Sequence, residues 1–388
     1  MLDARLTERG MSQALSIYST KLRINIENDL TAIAKQTGAK LARKVDENDT
    51  TYVLKVPDGE TTVQFHCSSL VLNRKPVQKH IREMLEFIRN RIGMKMNGQR
   101  WEFLHHMSKI RSMMSVFGEP RFSAIPGVED FLGKFSTENK AVSLEPWRFY
   151  DPQHRLLFDD ELQHDPRSRV PKFPSGYALK ERTEAKIAKL GIKPSLTMLN
   201  LPPTVAEEEQ LTRPAKEVAR RAICLYVVAM RATQWLRSQA KEFIKREGVG
   251  DWFTPAERDF LQQIEHSDDE KRDFSWRFEA LYTLMWALKH VHELGLPRKM
   301  CNVNALAAVF SDRSVEEFIE TASLRPATEI VSELDLMYRL HWAVRQAVNN
   351  DEKIPAKLSA DVIVEWHHAL NWLTLYFYKD WDNVTTDT

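Results

Sequence analysis

The sequence predicts a mainly α-helical protein, with a C-terminal multi-helix domain over residues 178–388 preceded by a small α+β domain over residues 1–118. Three observations carry this reading. After Lys180, apolar residues recur at the helical period and keep doing so towards Tyr378. Before Glu119 the period switches between two and 3.6. Between them, residues 119–177 gather proline, glycine and charge without a helical stripe, the pattern of a connector.

In the first domain, Leu15–Tyr18 has the composition of a short strand. Leu22–Thr37 carries Ile26, Leu30, Ile33 and Ala34 on one stripe and stops at Gly38, the residue that best ends a helix. Thr51–Val56 and Thr61–Leu72 flank Pro57-Asp58-Gly59, whose φ preferences suit a hairpin turn. Pro76 opens a helix with Ile81, Leu85 and Ile88, and another is expected over Gln99–Phe117. The connector holds one hairpin-like patch, Trp147–Asp159.

In the second domain, Pro214–Arg246 is apolar nearly all round between residues 222 and 230, as an interior helix is. Thr254-Pro255-Ala256-Glu257 is a capping box with proline at the first helical position. Trp276, Ala280, Leu284, Leu288 and Val291 form a stripe that Gly295 ends. Ile330–Val348 and Ala360–Tyr378 supply two more helices.

The bulk numbers exclude several classes. At 388 residues the chain exceeds the roughly 250–300 over which one core grows, so two domains are expected. A hydrophobic content of 43% with ten tryptophans excludes global disorder. The net charge of +1 creates no general pull towards nucleic acid or membrane. Residues 1–150 carry 23 Lys and Arg against 17 Asp and Glu, and the excess concentrates in Arg74–Arg121, with eleven bases against four acids. Nucleic acid is therefore the secondary partner class, through Arg74–Arg121 with Trp101 and Phe103. Scattered cations on two amphipathic helices favour an ordinary solvated face instead. The sparse, unpatterned set Cys67, Cys224 and Cys301 suits a reducing compartment. Met1–Gly10 has no signal-like apolar run, and Ile223–Met230 is far shorter than the roughly 20 residues a span needs. A cytoplasmic protein without membrane contact is expected.

Several ordered motifs share a pattern. Arg182-Thr183-Glu184, Leu190-Gly191-Ile192 and Glu217-Val218-Ala219-Arg220-Arg221 lead into Thr254–Glu257 and Trp276–Leu281. Trp286-Ala287-Leu288, Arg339–Ala343, His368–Leu373 and Trp381-Asp382 through Asp387-Thr388 continue it. Over about residues 180–388 the chain thereby resembles an uncharacterised bacterial family, domain of unknown function 4272. The resemblance implies a helical fold and supplies no activity. The family pattern has an arginine where this chain has Trp366.

Standard catalytic signatures are missing: GxxxxGK[ST], GxGxxG after a strand, GxSxG and HExxH. Glu102…His105 and Glu365…His368 have metal-helix spacing but fall in different domains, so no metal and no cofactor is expected. His290 and His292 are read as late residues of a helix.

The polar residues a packed helical core would not choose are the candidates. Arg277, Glu279, Glu365 and His367 are the catalytic set, since a His–Glu pair can do acid–base work. Arg182, Glu184, Arg221, Asp335, Arg339 and Asn371 are the binding set. Glu217–Arg221, Asp335–Arg339 and His367–Asn371 have the i,i+4 spacing of helix pairs. If the domain has a pocket, it is expected at these residues. The leading expectation is a cytosolic module that binds another protein, a toxin-neutralising immunity-type protein being one version. The alternative is a hydrolase or nuclease-like enzyme at the catalytic set.

Overall fold

A computed structural model describes residues 13–21, 24–46, 49–69, 75–92, 98–145, 148–159, 161–192, 201–206, 212–311 and 313–386. The chain divides into two compact units, Met1–Phe173 and Pro174–Thr388.

The first unit contains β1 (Gln13–Ser19), α1 (Glu27–Thr37), β2 (Lys40–Asp46), β3 (Asp49–Lys55), β4 (Thr62–Ser69), α2 (Lys75–Ile92) and α3 (Gly98–Met107). It continues with β5 (Ser112–Glu119), α4 (Val128–Glu138), β6 (Val142–Glu145), β7 (Arg148–Tyr150) and β8 (Leu156–Phe158). The strands form one sheet in the order β2-β3-β4-β5-β1-β6-β7-β8, antiparallel throughout. One face carries Leu15, Ile17, Leu54, Val63, Phe65, Met114 and Val116, packed with the apolar stripes of α1 and α4. The β3–β4 turn forms as expected. Asp58 accepts the N–H groups of Glu60 and Thr61 and the Thr61 hydroxyl, which fixes the register Lys55↔Thr62. Gly38 ends α1 in the left-handed region at φ 69°.

Three expectations are corrected here. The helix expected over Gln99–Phe117 stops at Met107, and Ser112–Glu119 is the strand between β4 and β1. Both of its faces are covered, so its apolar run does not alternate and the period could not reveal it. The second is β2, an edge strand whose Lys40, Arg43 and Lys44 hid it. The third is the connector over 119–177: α4 and β6–β8 lie inside the first unit, so this unit is larger and more sheet-rich than a small α+β domain. Val128, Phe131, Leu132 and Phe135 are a helical stripe that Gly127 and Gly133 obscure, and β7 and β8 have three residues each. The hairpin-like patch is real, as β7 pairs with β8.

The second unit is helical. It comprises α5 (Pro174–Lys189), α6 (Ala215–Thr233), α7 (Arg237–Glu247), α8 (Pro255–Gln262), α9 (Asp268–Ser275) and α10 (Arg277–Ala287). α11 (Val303–Ser311), α12 (Val315–Glu320), α13 (Ala327–Asn349) and α14 (Ala360–Leu373) complete it. Every residue of α6 from Arg221 to Met230 is buried, and α6 packs on α9, α10 and α12. α14 packs on both α10 and α13, and α5 packs on α13. The capping box at α8 forms in both directions, Thr254 with Glu257. α10 is shorter than its stripe suggested. Lys289 turns left-handed at φ 69° and His290 donates its N–H to the Met285 carbonyl, so His290 and His292 lie beyond the helix. α14 likewise ends at Leu373, where Leu375 adopts φ 60°. Among the described residues no helix is long and apolar enough to cross a membrane.

Candidate functional site

Three of the four catalytic candidates gather between α10 and α14. One terminal nitrogen of Arg277 donates to both Glu365 oxygens, at 2.9 and 3.0 Å. Glu279, one turn-face away, is 1% exposed. Its two oxygens accept the Cys301 backbone N–H at 2.7 Å and the Trp366 indole N–H at 3.0 Å. Burial raises the Glu365 carboxyl above the usual range; Arg277 pulls it back and Glu279 adds to the rise.

His367 points elsewhere. Its Nδ1 lies 3.0 Å from the Nδ1 of His341 on α13. One ring must donate and the other accept, so the accepting ring is neutral with its proton on Nε2. Burial, reinforced by His341 and His368, holds His367 far below an ordinary imidazole. Burial and then Arg345 push His341 down to about 4. A base poised for neutral pH would sit near 7; this pair does not.

A second cluster joins α5 and α13. Arg339 is fully buried and grips Asp335 at 3.0 and 3.1 Å, the expected i,i+4 pair. Asp335 also accepts the Thr204 hydroxyl, and Arg339 donates to the Pro202 carbonyl. Glu184 stands 3.5 Å from Arg339 and 3.7 Å from Lys180. Arg182 is exposed on α5, apart from this network.

The remaining candidates hold the segment after α14. Asn371 donates to the Thr385 carbonyl at 2.9 Å, and His368 contacts the Trp381 carbonyl through Nε2 at 3.1 Å. Burial and then Arg277 bring His368 down to about 4. Arg213 donates to the carbonyls of Trp372 and Lys379 and pairs with Glu217. The expected Glu217–Arg221 pair is therefore replaced: Arg221 pairs with Glu257, both buried, and lies over the Trp381 ring. His367–Asn371 is not a pair either, because the two side chains face different elements.

A cavity of about 1090 Å³ opens in this unit at another place. It is lined by the C-terminal end of α5, the start of α13 and residues 292–299, and by none of the ten candidates. The candidates lie away from this cavity. Glu333 lines the cavity, and burial holds its carboxyl above the usual range despite Lys186 at 3.8 Å.

Residues 179–384 match the family model described as domain of unknown function (DUF4272). The chain belongs to this family. No curated protein and no solved structure matches it significantly.

The DUF4272 region thus begins on α5 and runs through the segment that Arg213, Arg221, His368 and Asn371 hold. Sequence reasoning missed Glu257, His341 and Trp366 as partners. The capping box did flag Glu257, since its carboxylate serves Thr254 and Arg221 together. In the first unit, Glu102 pairs with Lys172 at 3.0 Å. Phe103 of the basic stretch is packed on Phe149 and Phe158 rather than open to bases. Arg74 and Lys95 and the side chains of Arg91 and Trp101 lie outside the described residues. The three cysteines are free, and burial pushes the Cys67 and Cys224 thiols up to about 12, away from a reactive thiolate.

Proposed function

We propose that this DUF4272 protein works by binding another protein in the cytosol, and that its polar helical core is architecture. The carrying observation is that Arg277 pairs with Glu365, both Glu279 oxygens are taken by Cys301 and Trp366, and His367 meets His341. The open cavity has the character of a docking groove. Leu190, Leu294, Leu296 and Leu336 give it an apolar floor. Of its charges, Lys186 pairs with Glu333 and Arg325 with Glu329, which leaves Arg298, Lys299 and Lys357 against Glu293. That balance suits a partner segment combining acidic and apolar side chains. An immunity-type protein that neutralises a toxin is one version of this reading. A hydrolase or nuclease-like activity at the catalytic set is the lesser one, because its base would be a histidine held neutral and enclosed.

Panning a displayed random-peptide library on the purified protein tests the groove. Enrichment of peptides mixing Asp or Glu with Leu, Ile or Phe, lost on the double reversal Lys299→Glu/Lys357→Glu, is expected. Enrichment that survives the reversal, or none at all, contradicts it.

A further inference from the structure

In the first unit, Glu129, Leu132, Gly133 and Ser136 of α4 share one helix face, positions i, i+3, i+4 and i+7, with Leu132 and Ser136 buried and Glu129 and Gly133 at its exposed edge. Opposite them stand Leu15 of β1 and Ser143 and Glu145 of β6. Ser143 pairs with Ile17 across the ladder, so it shares the core-facing side of the sheet. Helix and sheet do not close on each other here. They leave a cavity of about 250 Å³, the share of roughly eight liquid waters.

Two features, the serine hydroxyls and the charge, make this more than a packing gap. Gly133 sits inside a helix, where glycine is disfavoured, yet a Cβ built on it meets nothing within 4 Å. Gly133 is exposed at the rim of the cavity, so a larger side chain there has room to reach over it. Ser136 and Ser143 are 8% and 4% exposed, and neither hydroxyl is engaged by the protein among the described residues, although both residues border the cavity. Buried hydroxyls ordinarily find a partner. The charge is also one-sided. Glu129, Glu145 and Asp151 line the space with His154, and no Lys or Arg does. Arg155 answers Asp151 at 2.9 Å, whereas Glu145 meets the Tyr150 hydroxyl at 3.3 Å and His154 at 3.8 Å among the described residues.

We propose that this cavity binds an ammonium or guanidinium group carried on a short apolar stem. The cation sits between Glu129 and Glu145 with the serine hydroxyls as further acceptors, and the stem lies against Leu15, Phe122 and Leu132. Such a group comes either from a free amine or from a lysine or arginine side chain of another protein.

Calorimetric titration of the full chain decides it. Agmatine and cadaverine serve as free cations, Nα-acetyl-lysine methylamide as the side-chain mimic, and hexanol as the uncharged control. Cation binding is expected to weaken about tenfold in Glu145→Gln, through loss of the charge-assisted bond. It should vanish in Gly133→Leu, whose side chain fills the space. If Gly133→Leu does not fold, Glu145→Gln decides alone. Binding of the free amines assigns a small-molecule ligand, and binding of the lysine mimic alone assigns a protein side chain; both support the pocket. The proposal is overturned if no cation binds, if hexanol binds as well, or if either folded variant keeps the parent's affinity.

Discussion

Trp366 donates its indole N–H to Glu279 at 3.0 Å and so ties α14 to α10. The other oxygen of Glu279 accepts the Cys301 backbone N–H at 2.7 Å. Trp366→Phe keeps the ring over Tyr282 but leaves a buried carboxylate one donor short. A loss of about 1–3 kcal/mol in urea unfolding is expected. An unchanged midpoint would show that Glu279 finds another donor.

Arg339 is fully buried in the low dielectric of the core and survives there because Asp335 and the Pro202 carbonyl meet it. Arg339→Ala strands Asp335 and should cost about 3–5 kcal/mol. The double change Arg339→Met/Asp335→Leu removes both charges and should recover most of that loss, read by the same unfolding curves. Equal damage from the single and the double change would deny the coupling.

His341 and His368 give the second unit an acid limit. Both are held near 4 in the folded chain against 6.5 for a free imidazole. The unfolded chain therefore takes up protons first as pH falls. Stability present above pH 6.5 is lost progressively down to about pH 4, by roughly 3 kcal/mol for each histidine. Glu365 opposes this, because its raised carboxyl is relieved on acidification. Melting curves across this window should show a smaller acid shift in His368→Gln than in the parent. Equal shifts would remove His368 from the account.

Much of the helical unit was legible because its signals are local. The stripe of α6, the α8 capping box and the Asp335–Arg339 spacing each lie within a few turns of chain. The sheet was harder. β5 is covered on both faces and β2 is polar, so neither alternates, while β7 and β8 are too short to show a period. The candidate site was legible as a set of residues but not as a set of pairs. Arg221 chose Glu257 across 36 positions over Glu217 at four, and no spacing rule foretells such a partner.

The segment after α14 is tied down by Arg213, His368 and Asn371 among others, so its local stability should respond to the loss of one of them. Asn371→Ala removes the donor to the Thr385 carbonyl. Hydrogen exchange over residues 379–386 should then speed by about tenfold, with α6 unaffected. Matching acceleration in α6 would mean that the segment opens only with the whole unit.

The central claim is that the polar residues of the helical core hold the fold and do not turn over a substrate. Urea unfolding of Arg277→Ala and Glu279→Ala tests it most directly. Both variants should be less stable than the parent, Arg277→Ala by about 2 kcal/mol for a half-buried pair and Glu279→Ala by about 3 kcal/mol. Variants as stable as the parent or more so, with a small molecule that raises the melting point of the parent alone, would instead mark these residues as a catalytic site held at a cost to stability.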